Sequence, residues 1–95
     1  MSTQNIVAII VAAPEHAATV AQALEEAVHA VRKEPGCEQY DLHRDRANPN
    51  RFVMIERWRD EAAVRAHGTG EALQKLGAVL KTRATLDVVN LDPVA

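Results

Sequence analysis

Glu56, Trp58 and His67 stand within one stretch, RFVMIERWRDEAAVRAH at residues 51 to 67, and together they hold the means to move a proton beside a flat organic ring. Imidazole titrates nearer neutrality than any other ordinary side chain, so His67 is the natural general base for a phenolic or carbon-bound proton. An indole supplies a flat wall and one N–H donor, the use expected of Trp58. Glu56 shares a strand face with Trp58 and points inward, where a carboxylate needs a partner such as Arg44 or a second copy of the chain. It is therefore either a site residue or half of a buried ion pair. Tyr40 and Asn5 offer a hydroxyl and an amide able to orient a substrate oxygen, and Phe52 and Leu76 are the apolar side chains expected to bound the same pocket. Each also has a plain structural reading: a histidine near a helix end caps and packs, and a lone tryptophan fills the core.

Other chemistries find little support. His16, His29, His43 and His67 show no close ligand spacing, so no metal site is expected. GTGEAL, residues 68 to 73, puts two glycines near a helix start but no lysine where a phosphate loop needs one. Cys37 is the single cysteine, which rules out an internal disulfide and fits a reducing compartment; with no basic neighbour placed to activate it, it is read as structural.

The elements that must position these residues are legible from periodicity. Ile6 to Ala13, IVAIIVAA, is a continuous apolar run rich in β-branched residues, as a strand buried on both faces would be, and Pro14 stops it. From Glu15 to Glu34 the residues Ala17, Val20, Ala21, Leu24, Ala27, Val28 and Val31 recur at helical intervals and form one apolar stripe. Pro35 and Gly36 end that helix and reverse the chain. Cys37 to Asp45 reads as a strand with Tyr40 and Leu42 on one side, and the DRANPN turn folds it back onto Arg51 to Arg59. In that third strand Phe52, Met54, Glu56 and Trp58 share a face, while Val53, Ile55 and Arg57 share the other. Asp60 is placed to cap a helix of about two turns that Gly68 and Gly70 loosen or break. Helix resumes at Glu71 with Ala72, Leu73, Leu76, Val79 and Leu80 as its apolar stripe, and Ala84 to Leu91 is a last strand.

The order βαββαβ predicts a ferredoxin-like α+β fold, a four-stranded antiparallel sheet with two helices on one face. Two helices cover one face, yet the first and third strands are apolar on both. The uncovered face exceeds what a soluble monomer tolerates, so a homodimer is expected, its sheets closing on one another.

Length and composition agree with this reading. With 95 residues there is room for one core, so residues 1–95 are read as a single domain. Hydrophobic residues make up 47%, which is globular, but Tyr40, Phe52 and Trp58 are the only aromatics, too few for stacking platforms. The net charge of −2 is interleaved and forms no basic stripe, so no nucleic-acid partner is expected. No apolar run approaches the roughly 18 residues of a membrane span, and the N-terminal block lacks the basic flank of a signal peptide. The expected location is cytoplasmic, with no membrane partner.

EPGC after the first helix, YDLHRD in the second strand, RFVMIERW in the third and the short helix ending in AH resemble the antibiotic biosynthesis monooxygenase domain, also seen in quinol monooxygenases. The most specific pieces are the glycine turn into C-x-x-Y-x-L, the R-F-x-x-x-E-x-W strand and the histidine nine residues after the tryptophan. The resemblance implies a dimeric α/β barrel. It also implies oxidation of an electron-rich quinol or polyketide-like aromatic by O₂ with no metal, flavin or other cofactor, since a substrate that becomes a stabilised anion passes an electron to oxygen itself. Two departures bear on this. Where the family often carries a second histidine and an aromatic, this chain has Ala72 and Leu73. Where the haem-degrading branch carries a tryptophan and a ligand histidine, it has His67 and the region of Gly77. The alternatives are a non-catalytic dimeric binding or scaffold domain of the same fold, and an isomerase acting on a small hydroxyketone in a wetter pocket.

Overall fold

The computed structural model describes residues 2–95, and its elements follow the apolar patterning closely. They are β1 (Gln4–Ala12), α1 (Ala17–Val31, entered through a 3-10 turn at Pro14–His16), β2 (Cys37–Arg44), β3 (Arg51–Trp58), α2 (Glu61–Gly68), α3 (Glu71–Leu80) and β4 (Ala84–Leu91). The four strands form one antiparallel sheet in the order β2-β3-β1-β4, the split arrangement expected of a ferredoxin-like α+β fold. Among the described residues no helix is long and apolar enough to cross a membrane.

One departure from the sequence reading and one expected break shape the site. The first helix stops at Val31 instead of reaching Glu34. Lys33 and Glu34 donate their N–H groups to Ala30 and Val31, three residues back, so the chain tightens into a turn ahead of Pro35. The break expected at Gly68 and Gly70 is complete: Thr69 ends α2, and Gly70, in extended conformation, begins α3 at Glu71 as expected.

The core lies between the sheet and the helices. Val20, Leu24 and Val31 of α1 and Trp58 of β3 are wholly buried there, with Ile10, Phe52 and Met54 beside them. Register explains which strand residues join in: Ile6 lies between Glu56 and Asn90, and Ile10 between Phe52 and Leu86, so these side chains share the helix side of the sheet. Helical cover fails at β4. Leu86 and Val88 face the helix side but remain 55% and 50% exposed, and the opposite sheet face carries Ile55, Val89 and Leu91 in the open.

Candidate functional site

Glu56, Trp58 and Tyr40 come together through the β2–β3 ladder. Tyr40 pairs directly with Glu56, and an irregularity between Cys37 and Gln39 brings Cys37 opposite Trp58. Bulges of this kind bend a strand and re-aim its side chains. His67 arrives from α2, whose start is fixed twice. The Asp60 carboxylate accepts the N–H of Ala63 at 2.9 Å, the expected cap, and the Arg59 N–H donates to the carbonyl of Gly36 at 2.8 Å. Gly36 has φ +83°, and a Cβ there would lie 2.6 Å from that of Ala63. Only glycine lets the turn after α1 approach α2 this closely. One turn after Ala63, on the same buried face, is His67.

The imidazole of His67 lies 4.5 Å from the Trp58 ring, centroid to centroid, tilted by 31°, and 5.7 Å from Tyr40 edge-on. Its Nδ1 is 2.9 Å from Oε1 of Glu34. Trp58 Nε1–H donates to Oε1 of Glu56 at 2.9 Å. Glu56 and His67 are each only 7% exposed, the two buried polar residues of the described chain. Burial pushes the Glu56 carboxyl above the ordinary glutamate value, against the opposing influence of the Trp58 N–H and of His67. Tyr40 is raised well above the usual phenol range, first by burial and then by the carboxylates of Glu56 and Glu34. Burial, then Glu34 and Glu56, also push the Cys37 thiol up, away from a reactive thiolate.

Two hollows meet at His67. A cavity of about 170 Å³ runs under α3, walled by Ile6, Ala8 and Ile10 of β1 and by Leu73, Leu76 and Leu80. Its polar lining is Tyr40, Glu56 and His67, and Leu86 and Val88 stand at its β4 side. A wider, open cleft of about 670 Å³ lies on the α2 side, lined by Glu34, Arg59, His67, Glu71 and Lys75 among others.

His67, Glu56, Tyr40 and Leu76 thus border the inner cavity. Four expectations are corrected. Asn5 lies on the opposite face of the sheet, in register with Arg57 and Leu91, because it shares the parity of Val7 and not of Ile6. Phe52 is on the right face but at the far end of β3, buried beneath the Arg44 guanidinium, whose carbon is 5.2 Å from the ring centroid. Arg44 is therefore not the partner of Glu56; Trp58 is, and its ring backs His67 instead of walling the cavity. Sequence reasoning missed Glu34 and Leu73. Position beside the Pro35–Gly36 reversal is the one signal that singles out Glu34 as a side chain leaving the helix direction.

Comparison with known proteins now decides the lineage. The family model described as antibiotic biosynthesis monooxygenase matches residues 4–78, which includes every residue of the cluster. The chain belongs to the antibiotic biosynthesis monooxygenase family. Among solved relatives, PA3566 from Pseudomonas aeruginosa is 37% identical with a TM-score of 0.92, over 100% of this chain and 98% of that one. A crystal structure of an antibiotic biosynthesis monooxygenase is 32% identical with a TM-score of 0.90, over 97% and 99% of the two chains. YcnE, a proposed monooxygenase of Bacillus subtilis (strain 168), is 42% identical over 65 residues, which are 64% of this chain and 66% of YcnE, just under two thirds of its length. An apolar hollow with a few polar groups at one end suits the binding of a small organic molecule.

Proposed function

We propose that this family member oxidises a single-ring quinol with O₂ and that His67 takes the phenolic proton. The observation that carries the reading is the inner cavity. Its volume of about 170 Å³ is close to that of an apolar protein cavity, about 150 Å³, known to hold one benzene ring. A tricyclic anthrone does not fit without opening the wall at Leu86 and Val88. The cavity's polar lining is confined to Tyr40, Glu56 and His67, so a ring bearing two hydroxyl groups finds its partners at one end and apolar contact elsewhere.

Loss of the proton to His67 leaves a quinolate in a largely dry site, where the anion is a strong one-electron donor to O₂. Bonding of oxygen to a ring carbon, followed by release of water, turns quinol and O₂ into hydroxyquinone and water. The substrate supplies every electron that O₂ accepts, so the reaction calls for no other reductant. The leucine-lined wall disfavours hydroxyketone isomerisation, which requires a wetter pocket. We further propose that the active form is a homodimer, a second copy covering the sheet face of Val7, Ile9, Val11, Val53, Ile55, Val89 and Leu91; a sedimentation velocity run showing a monomer at micromolar concentration removes that part.

Oxygen uptake with methylhydroquinone, menadiol and dithranol tests the reading, using wild type and His67→Ala. The expected order of rates above autoxidation is one ring over two over three, with His67→Ala slower by roughly 10²- to 10⁴-fold, as for loss of a general base. No uptake with any of them favours a non-catalytic binding domain, and equal uptake by both proteins removes His67 as the base.

A further inference from the structure

We infer that Glu34 is the positioning residue of the reaction base: it holds His67 in the tautomer whose Nε2 is free to accept the substrate proton, and it stabilises the imidazolium that results. The inference rests on the reading of His67 given above and adds to it a residue from a different element, 33 positions earlier in the chain.

Four observations meet here. The contact is short, 2.9 Å from Oε1 to Nδ1, and it engages one ring nitrogen only. A carboxylate can only accept, so in the neutral ring the proton of the pair sits on Nδ1 and the lone pair on Nε2. The hollows are divided by the imidazole: Glu34 borders the outer cleft, Tyr40 and Glu56 border the inner cavity, and His67 borders both. The side chains are graded in the same sense, with His67 8% exposed and Glu34 22%. Glu56 is unsuited to the same duty, because its Oε1 already accepts from Trp58 and burial disfavours its charge.

The fold also explains why Glu34 is there. α1 ends early, the chain tightens ahead of Pro35, and Gly36 docks on Ala63 one helical turn from His67. In the proton step the substrate O–H bond breaks and its proton binds Nε2, while Nδ1 keeps its own and shares it with Glu34. Imidazolium and carboxylate then form a close pair until the proton passes to the oxygen atom leaving as water.

Glu34→Ala and Glu34→Gln separate this role from a merely structural one. Imidazole nitrogen chemical shifts of the substrate-free protein are the first readout and need no activity. Nδ1–H is expected in wild type and in Glu34→Gln, whose amide oxygen still accepts, and loss of that preference in Glu34→Ala. An unchanged tautomer in Glu34→Ala overturns the proposal, whether or not a quinol is the substrate. With methylhydroquinone the second readout is kcat against KM. Glu34→Ala is expected to lose kcat on the order of 10²-fold or more, as when the orienting carboxylate of a histidine base is removed, with KM changed little. Added acetate, entering the outer cleft, is expected to restore part of that rate with saturation. Glu34→Gln keeps the shape and lacks the charge, so it decides the matter should Glu34→Ala fail to fold: wild-type kcat in Glu34→Gln overturns the proposal, and a loss with the tautomer retained supports it.

Discussion

Trp58 and Leu86 sit on the same face of the same sheet, and their surroundings are opposites. Trp58 is wholly buried, with the His67 ring of α2 beside it; Leu86, on β4, is more than half exposed. Residue type does not separate them, since both are large and apolar. Backbone pairing does not either, because β4 is bonded to β1 over its full length. What differs is helical cover. α1 packs on β2 and on α3, while α3 makes only sparse contact with β4. The gap beneath α3 holds the inner cavity, so incomplete cover at one edge of the sheet is also what makes room for a ligand. Stability and function divide the same face between them.

Substitutions at the two ends test that division, and the largest effect belongs to the closed end. Trp58→Ala removes the most deeply buried ring and strands the Glu56 carboxylate, so a loss of about 3–5 kcal/mol is expected in urea unfolding. A loss below about 1 kcal/mol would mean that the closed end is not the core of the fold. Gly36→Ala comes next, at about 2 kcal/mol, from a positive φ and an overlap with Ala63. It is also expected to weaken the Glu34–His67 contact, seen as a changed imidazole tautomer. At the open end the sign reverses. Gly77 lies mid-helix on the cavity wall, and a Cβ there meets nothing within 4 Å, so Gly77→Ala is expected to stabilise by about 0.4–1 kcal/mol. Gly77→Leu, by contrast, should fill the cavity and exclude methylhydroquinone while the chain still folds, as equilibrium binding would report. Leu86→Ala should change stability of the isolated chain by less than about 0.5 kcal/mol.

Glu56 gives the closed end a pH signature of modest size. Because burial raises its folded pKa, the folded chain keeps that proton to higher pH than the unfolded chain does. Its effect on stability is therefore most favourable below the ordinary glutamate range and declines as pH rises through the raised value. Glu56→Gln retains an acceptor for the Trp58 N–H and removes the charge. Thermal unfolding measured across mildly acidic pH is expected to show a flatter profile in the variant; an identical slope in both proteins would mean that Glu56 is ordinarily solvated.

Much of the molecule was legible before any coordinates. Strand and helix periodicities are local properties of the chain, and they placed the last strand at Ala84–Leu91, the cap at Asp60 and the shared face of Phe52, Met54, Glu56 and Trp58. Alternation along β1 puts Asn5 on the face of Val7. It left open which face of β1 the helices would cover, because both are apolar, and the expectation that Asn5 joins the pocket failed there. Phe52 failed on position: at the far end of β3 it is covered by the Arg44 guanidinium and does not line the cavity.

By itself the sequence determined the order of elements, the apolar stripe of each helix, the two-faced sheet and the motifs that place the chain in its family. Each of these follows from side-chain alternation or from residues adjacent in the chain. Only the tertiary structure decided that Trp58 serves Glu56, that His67 divides an inner cavity from an outer cleft, and that Glu34 reaches Nδ1 across 33 residues. Those pairings depend on where α1 stops, on how closely Gly36 lets its turn approach α2, and on which edge of the sheet the helices leave bare. Such quantities arise from packing between elements, and no periodicity within one element encodes them.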